Sequence, residues 1–354
     1  MKQSLNRFLT STSLACLTML AAPLAQAQSN GLGIDSGLGV LSFGNFTAPS
    51  ADVQGKVAVG GNASIAGYTI NSAWPYTQAL YGGTGLTVGG NLDISGGSIF
   101  GNTVVGGNLA VTNGTSFNGS VQVAGNLSTS TGWLSAQSIS YGGTSNLSQW
   151  QSPAPVQVNA ASIQTGINFA AEQQRLTSLS QSFDAMANTG TSYLQNSTLV
   201  LNANNANVAV FDLTAADVTG ISGMRLDNFN ANTTVILNVL GQTVNFTTGG
   251  YQNFNLASDL AAGHVLFNLP QATSVTFTSG VYASFLAPLA QFNTAGGGFI
   301  GGQVVVAGWS GIGQVNDTPF VSAVPEPETY AMLLAGLGLI GFTARRRKLS
   351  TANA

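Results

Sequence analysis

His264 is the only histidine of the chain and Cys16 its only cysteine. A Ser-His-Asp relay could be built only around His264, which stands at a predicted strand start beside Gly263 and near Asp259; no Gly-x-Ser-x-Gly elbow occurs. That histidine reads as structural or surface. Zinc sites need several His or Cys ligands, more than the chain has. Calcium needs only carboxylates and carbonyls, and stays open. However, Asp35, Asp52, Asp93, Asp212, Asp217 and Asp227 are dispersed, with no Asp-x-Asp-x-Asp loop. Two acids brought together by the fold could hydrolyse a glycosidic bond, but no acid-rich motif marks such a cleft. Gly82-Gly83-Thr84-Gly85 and Gly296-Gly297-Gly298 have no Gly-Lys-Ser/Thr behind them and read as turns. The sequence assigns no catalytic residue, no cofactor site and no metal ligand, and predicts a non-enzymatic protein.

Charge narrows the partners. Between residues 28 and 324 the only cations are Lys56, Arg175 and Arg225, against nine Asp and Glu172. Nucleic acid is excluded as a partner, because binding a phosphate backbone needs clustered Lys and Arg. The body is rich in Gly, Asn, Ser, Thr, Ala and Val, with positive mean hydropathy. That composition is not the high-charge, low-hydrophobicity signature of disorder. It predicts extended β structure with many tight turns.

The elements that would position such a surface repeat. Val57-Ala-Val-Gly-Gly-Asn62-Ala-Ser-Ile65 is followed by Leu86-Thr-Val-Gly-Gly-Asn91-Leu-Asp-Ile94. Thr103-Val-Val-Gly-Gly-Asn108-Leu-Ala-Val111 and Val121-Gln-Val-Ala-Gly-Asn126-Leu-Ser-Thr129 come next, with the Asn positions 29, 17 and 18 apart. Each copy reads as a short strand, a bend and a second strand, with Gly and Asn expected to supply positive φ at the bend. The period suits one coil of a three-sided β-solenoid with inward Val, Leu and Ile stacked into one core, and residues 68–85 as an inserted loop. Glycine-containing hairpins of a β-sandwich are the alternative. Residues 148–155 read as a linker. Asn168 to Asn188 is the one convincing helix, with Phe169, Gln173, Leu176, Leu179, Phe183 and Met186 on one stripe that needs the solenoid flank as its partner. Strand-like segments resume over 198–201, 206–213, 233–240, 243–247, 264–269, 274–278 and 281–286, and residues 283–306 read as closing coils. Trp74, Tyr76, Trp133, Tyr141 and Trp150 could stack on sugar rings or cap the core.

The two ends carry targeting signals. Met1-Lys2 and Arg7 precede a mostly apolar run from Leu14 to Leu24, and Ala25-Gln26-Ala27 offers the small residues a signal peptidase reads, so the expected mature start is Gln28. Cys16 would leave with that leader. At the other end Pro325-Glu326-Pro327 precedes an uncharged stretch from Thr329 to Ala344, then Arg345-Arg346-Arg347-Lys348. As a helix that stretch would be roughly 24 Å long, short for a hydrocarbon core near 30 Å, and the four cations would stop its transfer. The short, glycine-dotted span behind a Pro-Glu-Pro break suits a temporary hold, with an ordinary single-pass tail anchor as the alternative.

This tail resembles the PEP-CTERM sorting signal of Gram-negative bacteria that make extracellular polysaccharide. The resemblance implies cleavage at Pro325-Glu326-Pro327 by an exosortase-type membrane protease, transient membrane contact through residues 329–344, and delivery to the cell surface or extracellular matrix. The body is similar to the choice-of-anchor A domain over about residues 32 to 310. The similarity rests on Leu38-Gly-Val-Leu-Ser-Phe43-Gly-Asn-Phe46, Asp52 to Asn62, the central helix, Leu286-Ala-Pro288 and Gly301-Gly-Gln303. Members of that family are regarded as adhesins. A more distant similarity is to bacterial ice-binding β-solenoids with a helix beside the coils, whose working face is a regular threonine array. Here Thr112, Thr115, Thr129 and Thr131 are scattered. The expected layout is a signal peptide (1–27), a β-solenoid with one long amphipathic helix alongside (28–322), a sorting signal with its transmembrane helix (323–349) and a short tail (350–354). The expected function is a surface or matrix adhesin that associates with extracellular polysaccharide in biofilm. An ice- or carbohydrate-binding module is the alternative, and a glycoside hydrolase a third reading.

Overall fold

The computed structural model describes residues 31–73, 79–80, 82–148, 151–246, 262–316 and 318–321. The chain coils into a three-sided solenoid of short, almost entirely parallel strands. Every rung from Leu38 to Ser152 places one strand on each side, as in Lys56–Val59, Ala63–Ala66 and Tyr68–Ile70. Alternation does the sorting. Val57 and Val59, Ala63 and Ile65, Tyr68 and Ile70 point inward and are buried, while Ser64 between its neighbours is exposed.

The rungs are not stacked in chain order. Leu38–Ser42 pairs with Lys56–Val59 on one side and with Val304–Gly311 on the other. The first coil is therefore in the middle of the rod. From it, residues 38–157 build outward in one direction to Val156–Gln157. The chain then returns along the rod through the helix Phe169–Asp184, and coils back to the seam through Val208–Thr214, Thr234–Leu240, Val265–Asn268 and Ser284–Thr294. Residues 283–306, expected as closing coils, thus form the middle. At one rung per ~4.8 Å, twelve strands on this side make a rod about 50 Å long.

The helix explains why one side of the rod is apolar on its outer surface. Val210, Ile236, Leu266, Leu286, Val305, Leu41 and Ala58 point outward yet are buried, because Leu176, Leu179 and Phe183 of the helix pack on them. Past the helix the same side carries Thr87, Val104, Gln122 and Ser140, in register with Ala58. Asn168 caps the helix, accepting from the Ala171 N–H at 3.1 Å. A buried ladder ties down its far half. Asn268 donates to the Ser180 carbonyl at 2.8 Å and to Asn238 Oδ1 at 2.9 Å, and Asn238 donates to the Phe183 carbonyl and to Asp212. The helix ends at Asp184 rather than 188, and Gln173 is on it not as core but as a donor to the Pro288 carbonyl.

The Gly-Gly-Asn bends are explained by closeness rather than by left-handed backbone. None of their residues has positive φ. Instead each Asn side chain accepts the backbone N–H of the Asn one rung on: Asn62 from Asn91 at 2.8 Å, Asn91 from Asn108 at 2.9 Å, Asn108 from Asn126 at 2.8 Å. That amide oxygen occupies the space a Cβ would need. A Cβ at Gly107 would stand 2.5 Å from Asn91 Oδ1, and one at Gly125 2.5 Å from Asn108 Oδ1.

Three boundaries also move. Tyr68–Ile70 is a strand, so the insertion covers 71–83 rather than 68–85. Residues 148–155 contain Gln151–Ser152, paired with Leu134–Ser135, and so belong to the solenoid instead of a linker. The segment 281–286 is split between Gly280–Val281 and the long strand Ser284–Thr294, which turns a corner at Pro288 with a register shift. Among the described residues no helix is long and apolar enough to cross a membrane; the stretch 329–344 lies outside them.

Candidate functional site

Two features could engage a partner. The first is the side of the rod next to the helix side, where the outward residues form one continuous column. In register these are Asn245, Thr276, Asn293, Ser310, Thr47, Ser64, Asp93, Ala110, Ser128 and Asn146. Hydroxyls and amides thus occupy eight of the ten rungs, ~4.8 Å apart, the exceptions being Asp93, the single charge, and Ala110. The column crosses the seam without interruption, so both halves of the chain contribute to it. Of the scattered threonines, Thr115 and Thr129 point inward and are buried, whereas Thr112 is outward on this side. Threonine is therefore not the repeating element.

The third side carries its own hydroxyl row: Thr69, Ser98, Ser116 and Ser135 are in register. Trp133 stands beside it, 48 % exposed, its ring lying over Gly114, where a Cβ would be 2.7 Å from Nε1. It does not cap the core. Tyr141 is packed against the core edge. Trp74, Tyr76 and Trp150 lie outside the described residues.

The second feature is a groove of about 690 Å³ at the helix N-terminus. Its walls are the turn Gly33–Leu38, the approach Thr165–Asn168, the first turns of the helix, and the outward residues Leu41, Ala58 and Thr87. Two ion pairs rim it. Lys56 Nζ is 2.8 Å from Asp35 Oδ2, and Arg175 grips Glu172 through Nε at 2.9 Å and Nη2 at 2.6 Å. Arg175 also donates to the Leu32 and Gly33 carbonyls, pinning the turn to the helix. Burial pushes the Asp35 carboxyl up, but the bonds from Lys56 and the Gly37 N–H, with the ammonium charge, outweigh it and hold it below its ordinary value. At the opposite end of the helix Asp184 is shifted up, by burial and by the nearby charge of Asp212.

Sequence reasoning missed this groove. Its only signal was scarcity: two of the three cations in the body, Lys56 and Arg175, meet there although far apart in the chain. His264 sits in a short 3₁₀ turn, Ala262–His264, before the strand Val265–Asn268, half-buried; Asp259 lies outside the described residues. Among the described residues no group of three or more His, Cys, Asp or Glu side chains converges. Ala25, Ala27, Gln28, Pro325, Glu326, Pro327, Arg345, Arg346, Arg347 and Lys348 all fall outside the described residues.

Residues 31–317 match the family described as "Putative Ice-binding-like adhesive domain", and the chain belongs to that family. That description names an adhesive domain of ice-binding-like type and does not itself carry the choice-of-anchor A label. Residues 323–348 match the PEP-CTERM protein-sorting motif. No curated protein and no solved structure gives a match. An adhesive domain followed by a sorting motif is the make-up of a surface-sorted adhesin.

Proposed function

We propose that the protein is exported behind its 1–27 leader and held in the inner membrane of a Gram-negative cell through residues 329–344. An exosortase-type protease then releases it at Pro325-Glu326-Pro327. At the surface or in the matrix the rod binds extracellular polysaccharide or neighbouring surfaces and contributes to biofilm. The ten-residue outward column carries this reading. Regularly spaced hydroxyls and amides, nearly free of charge, suit many weak hydrogen bonds to a hydroxyl-rich polymer and offer nothing to a polyanion.

The end of the described chain bears on which sides are free. Phe320 is fully buried among the helix-side residues, Gly31 donates to its carbonyl at 2.8 Å, and Val321 donates to the Gly263 carbonyl. The last described residues, Phe320 and Val321, thus lie on the helix side, and a chain held in the membrane from that side before cleavage would keep its other two sides free.

The test has two arms. Deleting residues 329–354 should send the protein to the periplasm or medium and lower surface retention; normal retention of the truncated chain would sink the sorting assignment. Ser64→Arg with Ser128→Arg, on outward positions of the column, should reduce attachment to purified matrix polysaccharide while leaving the melting temperature within a degree or two; unchanged attachment would remove the column from the binding reading. Ice is the second reading, favoured by the family match; thermal hysteresis by the released protein would establish it. We propose no hydrolysis at the groove: Asp35 and Glu172 are each held by a cation, and a carboxyl kept below its ordinary range is a poor general acid.

A further inference from the structure

We infer that the groove at the helix N-terminus is a discrete binding site for a single neutral sugar ring, separate from the extended column. Its volume of about 690 Å³ falls within the usual range for small-molecule sites, roughly 300–1,000 Å³. Leu41 and Ala58, almost wholly covered by the helix, line its deepest part with apolar atoms, against which the C–H face of a pyranose would rest. Its rim is polar and electrically balanced, two carboxylates against two cations, already paired at 2.8 and 2.6 Å.

That pairing selects the class of ligand. An anion would have to draw Lys56 or Arg175 away from its carboxylate, and a cation would have to do the reverse. A hydroxyl need displace neither. An ionised carboxylate accepts at about four lone-pair positions. Asp35 uses one oxygen for Lys56 and the other for the Gly37 N–H, so each oxygen retains a second acceptor position for a sugar hydroxyl. The Thr87 hydroxyl, outward on the same wall, adds a donor and acceptor. The ion pairs also fix the carboxylates in place before a ligand arrives, which lowers the ordering cost of binding. In a body so poor in charge, Lys56–Asp35 and Glu172–Arg175 gather two of its three cations at one groove.

This inference does not rest on the column reading, and its experiment separates them. The protein as released by cells is titrated with methyl glucoside, methyl galactoside, N-acetylglucosamine and glucuronate, followed by saturation-transfer NMR and calorimetry. The expected result is one-to-one binding of at least one neutral pyranose and weaker binding of glucuronate. Ala171→Trp, on an exposed helix position at the groove wall, should weaken that binding at least tenfold with the melting curve unchanged. Asp35→Asn should weaken it severalfold. Ser64→Arg should leave it intact while lowering polysaccharide attachment. The inference is overturned if no neutral sugar binds, if glucuronate binds more tightly, or if Ala171→Trp leaves binding as it was.

Discussion

The two halves of the rod fill the same triangular interior in different ways. In residues 38–157 the last coils repeat every 17–18 residues, Val, Leu and Ile stack on their like, and the Asn ladder stitches the bends. In residues 198–315 the steps are uneven: Val235 is opposite Val265 and Val210 opposite Ile236, thirty and twenty-six residues apart. There the interior is filled by rings. Phe267 and Phe285 stack at 5.1 Å, Phe246 meets both edge-on at 5.3 and 5.5 Å, and Phe277 and Phe292 close the cluster. A constant cross-section can be filled by the same small residues rung after rung, whereas a varying one needs large side chains that span it. Rings also join the halves: Phe292 stacks on Trp309 at 5.6 Å and 2°, and Trp309 on Phe46 at 6.0 Å and 20°.

If that contrast is right, core truncations should not cost the same in the two halves. Phe285→Ala removes the ring that touches most of the cluster and should lose about 3–5 kcal/mol. Val105→Ala, equally buried in the aliphatic half, removes two methyl groups and should lose about 2 kcal/mol. Urea unfolding of both variants measures the difference. Equal losses would mean that the stability of the C-terminal half is spread as evenly as that of the repeats.

Two kinds of glycine shape the bends and turns of the repeats. Gly107→Ala drives a Cβ to 2.5 Å from Asn91 Oδ1 and 2.7 Å from the Gly90 carbonyl, and should cost about 2–3 kcal/mol as an overpacked site. Gly67→Ala meets nothing within 4 Å but holds φ at +55°, which should cost about 1 kcal/mol. Asn108→Ala, which removes one stitch of the ladder, should cost about 1 kcal/mol. If Gly67→Ala proves the more damaging, the bends depend on backbone conformation after all.

The same contrast governs what could be read from the sequence. The repeat exposed the coils of the first half because identical rungs force identical residues into the sites where Asn91 touches Gly107 and Asn108 touches Gly125. The uneven rungs of the second half left only isolated strand signals, and their Phe residues carried no period. The helix was legible through Leu176, Leu179 and Phe183. Its buried Asn238–Asn268 ladder was not, since two asparagines thirty residues apart look like turn residues until a helix covers them. The order of stacking escaped too. Nothing local to Leu38–Ser42 announces that Val304–Gly311 lies against it, and the groove exists only because the returning helix sets its Glu172–Arg175 pair against the 31–38 turn.

The helix spans both halves, and its two ends should titrate in opposite directions. Over the repeats, Asp35 has a folded pKa below its ordinary 3.8, so its pairing stabilises the fold above that pH and is lost as the pH falls through the lower folded value. Asp35→Asn should therefore lose up to about 1 kcal/mol at neutral pH, the range of a partly exposed ion pair, and lose nothing relative to wild type in acid. Over the ring-filled half, Asp184 ends the helix beside Asp212 and has its pKa raised, so its charged form opposes folding above that raised value and the penalty fades on acidification. A carboxylate at a helix C-terminus is also unfavourable to the helix dipole. Asp184→Asn should gain about 0.3–1 kcal/mol at neutral pH, and the gain should vanish as the pH approaches the ordinary carboxylate range. Thermal melts from neutral to acid pH on the two variants read both slopes at once. Parallel slopes would show that the helix ends share one electrostatic environment, and that the difference between the halves stops at the core.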